Sequence, residues 1–247
     1  MRRLGVNIDH VATLRQARGT PYPSIEQAAR ICLESGAQQI TIHLREDRRH
    51  IQDHDVVSVR TVTKEMGRLF NFEMGCAPSI VDIALKSDPD WICLVPEKRE
   101  ERTTEGGLDL TNGDNFQRVK AAMARLRTGL PKAKISLFLE PEIKILELAH
   151  QLGADAVEVH TGDYAESFLR GEDIGVYLNR YSAAKKYLDQ VGVACHAGHG
   201  LTDQSVLPLV KEDFFEEYNI GHWIIAQAVF KGLATVVSEL KSSIDRG

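Results

Sequence analysis

Short segments in which apolar and polar residues alternate recur along the chain, and segments with helical periodicity lie between them. Alternation at every second residue predicts β-strands, whereas apolar residues three or four positions apart predict helices. The predicted strands cover residues 4–9, 39–45, 69–75, 91–96, 134–141, 156–161, 193–198 and 217–222, and the predicted helices cover 25–35, 79–86, 115–127, 142–151 and 223–244. About eight strand-then-helix units in 247 residues predict an α/β fold, a single-domain TIM (β/α)₈ barrel over residues 1–247 with a few extra helices.

An open, doubly wound sheet is the alternative fold, and its strands are apolar on both faces because helices cover both. The predicted strands instead have two different faces. In the first strand Asn7 and Asp9 share one face, while Val6 and Ile8 share the other. The second, third and sixth strands alternate in the same way. A polar face suits a barrel lumen that opens into a wet pocket, so the pattern favours the barrel.

Acidic, basic and histidine side chains concentrate where the predicted strands end. Barrel active sites lie at the C-terminal ends of the strands. A strand end is also polar simply because it emerges into solvent, but this explanation is weaker for so many acids and histidines together. The residues concerned are Asp9, His43, Arg45, Glu73, Glu140, Glu158, His160 and His222.

Four of the side chains near this end are candidates for moving protons: His43, Glu73, Glu158 and His199. They follow different strands and would point toward one mouth of the barrel. Chemistry at a carbonyl group in several steps needs acids and bases on several sides of a substrate. Each residue alone is weak support, so the hypothesis depends on their convergence. His160 could instead be a buried hydrogen-bonding residue.

Two groups of residues predict binding of anions. Gly200, Gly221 and His222 follow the last two strands, where barrels commonly bind phosphate through backbone N–H groups and a helix N-terminus. A second, basic group follows the first two strands, and guanidinium groups can grip phosphate oxygens in pairs. Because this run also contains acids, an exposed salt-bridged loop is its alternative interpretation. The basic residues are Arg15, Arg18, Arg45, Arg48, Arg49 and His50.

The irregular segment 97–113 predicts a long loop, and a loop of this length in a compact barrel often serves as a lid. A charged surface excursion without function is the alternative. The segment contains the run EKREERTTEGG at residues 97–107.

Composition narrows the classes of function. Thirty Lys and Arg against 35 Asp and Glu give a net charge of −5, which argues against a broad surface for nucleic acid. No apolar run reaches the length of a membrane span and no signal peptide is recognisable, so we expect a cytoplasmic protein without a membrane partner. Four widely spaced cysteines in apolar surroundings fit a reducing compartment. Cys195, His196 and His199 form only a poor metal pattern, and we expect no metal.

Seven motifs in this order closely resemble the pyridoxine 5'-phosphate synthase family, and the resemblance spans almost the whole chain. They are GVNIDHVATLR (5–15), IHLREDRRHI (42–51), VPEKR (95–99), TTEGGLD (103–109), EVHTG (158–162), AGHGLT (197–202) and NIGH (219–222). The resemblance implies a TIM barrel that condenses 1-deoxy-D-xylulose 5-phosphate with 3-amino-2-oxopropyl phosphate, without a cofactor. It also implies a homo-octamer, a tetramer of dimers.

The resemblance further implies a role for individual residues of this sequence. Glu73 and His43 would accept protons, His199 would donate one, and Glu158 would stabilise charged intermediates. The residues implied for deoxyxylulose phosphate are Asp9, His10, Arg45, His50 and Thr103, and those implied for the amino-ketone phosphate are Asn7, Arg18, Gly200, Gly221 and His222.

Two departures from the family pattern and two competing functions remain at this point. His196 stands where the family is expected to have asparagine, and the segment 168–179 is longer than expected. One competing function is a phosphosugar aldolase or isomerase that uses His43 and Glu73 on a single substrate. The other is a carrier of a vitamin phosphate that binds without catalysis.

Overall fold

The computed structural model describes residues 2–103 and 106–247. Within these residues, eight parallel strands form a closed barrel in which each strand pairs with the next and the last pairs with the first. The strands are β1 (Arg3–Asn7), β2 (Gln39–His43), β3 (Leu69–Met74), β4 (Trp91–Leu94), β5 (Lys134–Leu139), β6 (Ala156–His160), β7 (Ala194–Gly198) and β8 (Glu217–Ile220). The predicted barrel is confirmed, and the open sheet is excluded.

Eleven helices in the described residues surround the barrel, and several are additional to the basic strand-and-helix alternation, as predicted. The predicted helix at 223–244 is two helices, because the chain turns at Gly232 with φ at 83°. The helices are α1 (Asp9–Gln16), α2 (Ile25–Glu34), α3 (Asp53–Glu65), α4 (Pro78–Ser87), α5 (Gly113–Gly129), α6 (Ile143–Gln151), α7 (Gly162–Leu169), α8 (Gly175–Val191), α9 (Val206–Lys211), α10 (His222–Lys231) and α11 (Leu233–Arg246).

The strand pattern correctly predicted which face of each strand is apolar. Val6, Ile40 and Phe70 are fully buried and pack in the hydrophobic core. The alternate positions fill the lumen with polar side chains that are also buried, such as Thr41 and Asn71. These side chains bond to one another, since Asn71 Nδ2 donates to Thr41 Oγ1 at 3.3 Å. The lumen is therefore a hydrogen-bonded polar core.

The first strand ends earlier than predicted. β1 stops at Asn7, and Asp9 is the first residue of α1 instead of a strand residue. The amide of Asp9 donates to Asn7 Oδ1 at 2.9 Å, which is the local turn that asparagine favours because its side chain imitates the backbone. Arg45 and His222 likewise lie just beyond β2 and β8.

The long segment predicted after the sixth strand joins two helices. Residues 168–179 include the end of α7 and the start of α8. The α7 helix is fixed to the barrel by Tyr164, whose hydroxyl donates to the carbonyl oxygen of Ser205 at 2.7 Å. In the residues that the structure describes, no helix has the length and apolarity to cross a membrane.

Candidate active site

A cavity of about 590 Å³ opens where the loops leave the C-terminal ends of the strands. It collects most of the residues that the sequence proposed for a site. Arg18, His50 and Thr103 are not among the described residues that line it. The predicted residues that do line it are Asn7, Asp9, His10, His43, Arg45, Glu73, Glu158, His199, Gly200, Gly221 and His222.

Glu73 on β3 and Glu158 on β6 contribute two carboxyl groups to the cavity. Burial raises the pKa of Glu73 well above its ordinary value, and the negative charges of Glu158 and Asp9 raise it further. Burial also raises the pKa of Glu158 to about 8, with Glu217 adding to the effect. A carboxyl group with a pKa near neutrality, such as Glu158, can both donate and accept protons at the pH of a cell.

Asp9 links the first two strands at the edge of the cavity. Its Oδ1 accepts from the backbone amide of His43 at 2.8 Å, and its Oδ2 accepts from Asn7 Nδ2 at 2.9 Å. The same Asn7 amide lies 3.5 Å from Glu73 Oε2. Burial raises the pKa of Asp9 to about 6, although the charge of His43 opposes the shift. Asn7 therefore holds Asp9 firmly and contacts Glu73 only at the limit of hydrogen-bond distance.

His43 is oriented by Glu97, which was not proposed as a site residue. The ring Nε2 of His43 lies 3.1 Å from Glu97 Oε1. Burial opposes ionisation of Glu97, but hydrogen bonds from His43 and from the Glu46 amide lower its pKa overall. A carboxylate beside one ring nitrogen of an imidazole fixes the orientation of the ring and its tautomer, so that the other nitrogen can accept a hydrogen bond. This pair supplies a base on the β2 side of the cavity.

His199 lies on the opposite side, next to His160. Their ring centroids are 5.1 Å apart, and burial lowers the pKa of His199, with the positive charge of His160 adding to the effect. His160 is buried, and its Nδ1 is 3.1 Å from Glu140 Oε1, in agreement with the alternative role of a buried hydrogen-bonding residue. His199 has φ at 79°, a left-handed conformation that costs a non-glycine residue energy and is typical of functional sites.

One end of the cavity can receive an anion through backbone groups. Gly200, Gly221 and His222 line it, and His222 begins α10. Gly200 has φ at 80°, which glycine adopts without a steric penalty. The His10 and His222 rings are 4.8 Å apart, and burial, followed by the charge of His222, lowers the pKa of His10. The N-terminus of α10 adds partial positive charge.

Three arginines of the basic group after the first two strands are held by carboxyl groups of the protein itself. Arg15 is buried and binds Asp55 through two hydrogen bonds of 2.6 and 2.7 Å. Arg48 and Arg49 pair with Asp53 and Asp47 at 2.8 and 2.5 Å. The ion pairs of Arg48 and Arg49 agree with the alternative interpretation, an exposed salt-bridged loop, whereas Arg15 forms a buried ion pair from α1.

Arg45 is the member of this basic group that faces the cavity. Its Nη2 donates to the backbone oxygen of Glu97 at 3.2 Å. Its Nε is buried and has no hydrogen-bond partner in the described part of the chain, although Asp47 Oδ1 lies 3.8 Å from it. A buried donor without a partner is costly, so this nitrogen is suited to an incoming anion. Nearby, burial lowers the pKa of His50 to about 4, and surrounding positive charges contribute.

Three predicted binding residues lie elsewhere. Arg18 is exposed in the turn after α1. The Nδ1 atom of His50 accepts from the amide of Ile51 at 2.8 Å. Thr103 donates to Glu140 Oε1 at 3.4 Å and accepts from the amide of Gly106 at 3.0 Å. The roles of these three residues in binding stay predictions. Two residues of the predicted lid and of its family motif, Thr104 and Glu105, lie outside the described residues.

Sequence reasoning missed several contributors to the cavity. Arg102 and Phe138 line it, as does Asn219, which donates to Glu158 Oε2 at 2.8 Å. Arg102 lies in the charged run 97–107, where nothing distinguishes it from its neighbours. Asn219 belongs to the NIGH motif, but only its strand position, two residues before Gly221, indicates that it faces the lumen.

The weak metal pattern around Cys195 has a different explanation. Cys195 is buried, and the Nδ1 of His196 lies 3.5 Å from Glu217 Oε1. In residues 2–103 and 106–247, no group of three or more His, Cys, Asp or Glu side chains is placed to hold a metal ion.

Comparison with known sequences agrees with this geometry. A profile of the family described as pyridoxal phosphate biosynthesis protein PdxJ matches residues 4–246. The chain belongs to this family. It is 46% identical over 245 residues to the pyridoxine 5'-phosphate synthase of Thioalkalivibrio sulfidiphilus, covering 99% of this chain and 96% of that protein. It is also 46% identical over 245 residues to the synthase of Coxiella burnetii, covering 99% and 98%.

Solved structures resemble this chain in fold. The thiamine phosphate pyrophosphorylase of Pyrococcus furiosus superposes with a TM-score of 0.60 at 18% identity, covering 99% of this chain and 96% of that one. Because the identity is low, this likeness concerns the barrel alone. PdxJ family membership is independent of it, since the family profile and the 46% identical relatives both extend over nearly the whole sequence.

Proposed function

We propose that this PdxJ family member is a pyridoxine 5'-phosphate synthase of vitamin B6 biosynthesis. It condenses 1-deoxy-D-xylulose 5-phosphate with 3-amino-2-oxopropyl phosphate and releases phosphate and water. The observation that carries the proposal is that one cavity is lined by Glu73, Glu158, His43 and His199 together with groups suited to anions, which are Arg45, Gly200, Gly221 and His222. A condensation of two phosphorylated substrates needs this combination of groups.

Each phosphate has a suitable end of the cavity. The amino-ketone phosphate binds at Gly200, Gly221 and His222, where backbone groups and the N-terminus of α10 face the cavity. Deoxyxylulose phosphate binds near Arg45 and His10. This arrangement brings the amine of one substrate close to the carbonyl carbon of the other, so imine formation between the two becomes effectively unimolecular.

The side chains then move protons between these bound groups. Glu73 and His43 accept protons from the amine and from the carbon that becomes nucleophilic, and His199 donates a proton to a leaving oxygen. The charge of a bound phosphate raises the pKa of a nearby imidazole, which enables His199 to carry that proton. Glu158 stabilises the charged intermediates. The imine formed between the substrates withdraws electrons, so no separate cofactor is required.

The loop after β4 protects this chemistry. Imines and enols hydrolyse in water, and a loop that closes over the cavity excludes it. Arg102 and Gly106 from this loop already line the cavity. The charged segment 97–113 is therefore proposed to act as the lid.

The decisive experiment supplies purified protein with both phosphorylated substrates, and with each alone, while inorganic phosphate and pyridoxine 5'-phosphate are followed together. Product only in the complete mixture supports the synthase. Phosphate release or isomerisation with one substrate would indicate the aldolase or isomerase instead. Binding of both substrates without turnover would indicate a carrier.

A second experiment tests the two anion-binding ends. Calorimetric titration of inorganic phosphate compares the unmodified protein with Arg45→Ala and with Arg18→Ala. We expect Arg45→Ala to remove one class of site and to leave the backbone site at Gly200 and Gly221. Loss of all phosphate binding in either variant would contradict separate sites for two substrates.

Assembly and location complete the proposal. The family expectation of a homo-octamer, a tetramer of dimers, is supported by large apolar side chains that are exposed on one copy, including Phe230 at 86% and Val229 at 68%.

We propose that the protein acts in the cytoplasm on small phosphorylated molecules, without nucleic acid or a membrane as partner. The net charge of −5 supports the exclusion of nucleic acid.

A further inference from the structure

A cluster of charged and polar side chains fills the barrel lumen around Glu217, which is 1% exposed. Arg3 Nε donates to Glu217 Oε2 at 2.8 Å. Gln39 Nε2 and Asn219 Nδ2 donate to Glu217 Oε1 at 2.8 and 2.9 Å. His196 Nδ1 lies 3.5 Å from the same oxygen. Arg3, Gln39, His196 and Asn219 come from four different strands, so the carboxyl group of Glu217 joins them across the lumen.

The surroundings of Glu217 keep it ionised. A carboxylate that accepts several hydrogen bonds, one of them from a guanidinium group, is strongly favoured over the neutral acid. Burial alone would raise the pKa of Glu217, but the charges of His196 and Arg3 and the hydrogen bonds reverse this effect and lower it. A permanent negative charge therefore lies within the lumen.

Asn219 connects this charge to the cavity. Its Nδ2 donates one hydrogen bond to Glu217 Oε1 at 2.9 Å and one to Glu158 Oε2 at 2.8 Å. Its Oδ1 lies within reach of Gln39 Nε2 and Thr41 Oγ1 at 3.3 and 3.2 Å. Because the amide oxygen faces donors and the amide nitrogen faces acceptors, the orientation of Asn219 is fixed. Both of its N–H groups are used to hold the two carboxyl groups.

We propose that Glu217 is a positioning residue for Glu158: held as a carboxylate by Arg3 and His196, it fixes the orientation of the Glu158 carboxyl group through Asn219, and its own negative charge keeps a proton on that group. This role differs from substrate binding, because Glu217 does not line the cavity. It rests on the proposed function, in which Glu158 stabilises charged intermediates.

The backbone leaves room for this arrangement at Gly198 on β7. A Cβ atom at Gly198 would lie 2.0 Å from Glu158 Oε1, so any larger residue would displace the Glu158 side chain from its present position. Glycine in a strand interior weakens the strand and often marks a close approach by another group. Here the group that approaches is the carboxyl of Glu158, so β7 leaves the space that this side chain occupies.

The cluster around Glu217 includes His196, a position at which this chain departs from the expected family pattern. It stands where the family pattern predicts asparagine, and its Nε2 lies 3.3 Å from Arg3 Nη2 while its Nδ1 faces Glu217. His196 therefore interacts with both members of the Arg3–Glu217 ion pair, away from the cavity that His199 lines. The departure from the family pattern thus concerns the lumen around Glu217.

Other ionisable groups around Glu158 influence whether it holds a proton. Glu158 is buried against Glu73 on β3 and Cys93 on β4, whose Sγ lies 3.9 Å from Glu158 Oε2. Burial raises the pKa of Glu158 to about 8, and the charge of Glu217 is the next contribution. Removing that charge must lower the pKa of Glu158, because a nearby negative charge disfavours a second carboxylate.

The test is infrared difference spectroscopy of the whole protein during a pH titration, without substrates. The signal of protonated Glu158 is the part of the carboxylic-acid band that is lost in Glu158→Gln. In Glu217→Gln we expect its titration midpoint to fall by about one pH unit or more. Glu216→Gln is the matched control, since Glu216 is exposed, adjacent in sequence and of the same charge. It should leave the midpoint unchanged.

The variant Glu217→Asp distinguishes an effect of the Glu217 charge on Glu158 from an effect of its packing. It preserves the negative charge and shortens the side chain, so the midpoint should stay close to that of the unmodified protein. A role in packing alone predicts the reverse, with the isosteric Gln tolerated and Asp disruptive. An unchanged midpoint in Glu217→Gln, or equal shifts in the Gln and Asp variants, would overturn the proposal.

If Glu217→Gln does not fold, the variant Arg3→Met with Glu217→Gln removes both charges. A smaller fall is expected there, because the loss of the positive charge of Arg3 offsets part of the effect, and an unchanged midpoint again overturns the proposal. The titration needs no turnover, so its result is independent of the test of the proposed function, where failure means that no pyridoxine 5'-phosphate forms.

Discussion

Glu73 and Glu158 face the same cavity but are held by different neighbours. Glu73 lies 3.5 Å from an amide nitrogen of Asn7, whereas Glu158 accepts a hydrogen bond of 2.8 Å from Asn219. Burial raises both pKa values. The less firmly held carboxyl is the better candidate for a group that takes up and releases protons, and the firmly held one for a fixed stabiliser of charge.

Glu73→Gln is expected to slow turnover by roughly 10²- to 10⁴-fold, because a glutamine cannot accept the substrate proton. Affinity for each phosphorylated substrate should change little, since the phosphates bind at other residues. Steady-state kinetics and calorimetry of the same preparation measure both quantities. Glu147→Gln on the exposed face of α6 is the control, and undiminished turnover in Glu73→Gln would contradict its assignment as a base.

For individual residues, the sequence predicted which side chains lie close together, but not which contacts hold each of them in place. The alternation around Asn7 and Asp9 correctly indicated that the two are neighbours, although Asp9 begins a helix instead of continuing the strand. The contact of Glu97 with His43 spans 54 positions of the chain. No local pattern marks such a contact, because Glu97 lies in a run of charged residues in which each looks alike.

Among the elements, the loop after β4 is anchored to the end of β5. Glu140 Oε1 accepts from the amide of Gly107 at 3.0 Å and from Thr103 Oγ1 at 3.4 Å, and His160 Nδ1 lies 3.1 Å away. The amide of Leu108 also donates to the backbone of Phe138 at 2.9 Å. One buried carboxyl group therefore fastens the described part of the loop beside His160.

Glu140→Ala should release this loop. The substitution leaves the buried amide of Gly107 without its acceptor, at a cost of about 1–3 kcal/mol, or roughly 5- to 150-fold in the opening equilibrium. Hydrogen exchange at Gly107 and Leu108 should accelerate by that factor, while exchange in the barrel strands stays unchanged. Glu147→Ala, exposed on α6, is the control. Equal exchange at Gly107 in both variants would show that Glu140 does not hold the loop.

Strands were easier to predict than helices for a physical reason. Each strand has one face against the helices and one in the lumen, so its alternation is regular, as Val6 and Asn7 in β1 show. Helix boundaries depend on caps and turns that tertiary contacts decide. The single helix predicted at 223–244 is divided at Gly232, where φ is 83°, and periodicity alone does not reveal that turn.

For the whole molecule, the exposed apolar side chains predict association between copies of the chain. Phe230 is 86% exposed on α10, and burying such a side chain contributes about 1.5–3 kcal/mol. Phe230→Asp should weaken association by roughly 10- to 150-fold, measured as a shift toward the 27.5 kDa single chain in analytical ultracentrifugation. Gln190→Asp, exposed on α8, is the control. An unchanged distribution of masses in Phe230→Asp would place the contact elsewhere.

The buried ionisable groups also make the stability of the empty protein depend on pH, with opposite signs for acids and histidines. Histidines whose pKa is lowered by burial, such as His50 at about 4 and His199, bind fewer protons in the folded state. They make the free energy of unfolding rise with pH until their unfolded value of 6.5 is passed. Glu158, with its pKa raised to about 8, binds more protons when folded, so its effect is the reverse.

Between about pH 7.5 and pH 8.5 few histidines of the unfolded chain still hold a proton, because their unfolded value is 6.5, and the buried carboxyl groups decide the slope. We therefore expect the free energy of unfolding, measured by urea titration at constant salt, to fall as the pH rises through this interval. Glu158→Gln has no proton to lose, so its slope should be smaller, whereas Glu147→Gln should retain the slope of the unmodified protein. A stability that rises between about pH 7.5 and pH 8.5, or a slope unaffected by Glu158→Gln, would mean that Glu158 is already ionised in the folded barrel. Only a proton bound in the folded state and released on unfolding produces this dependence.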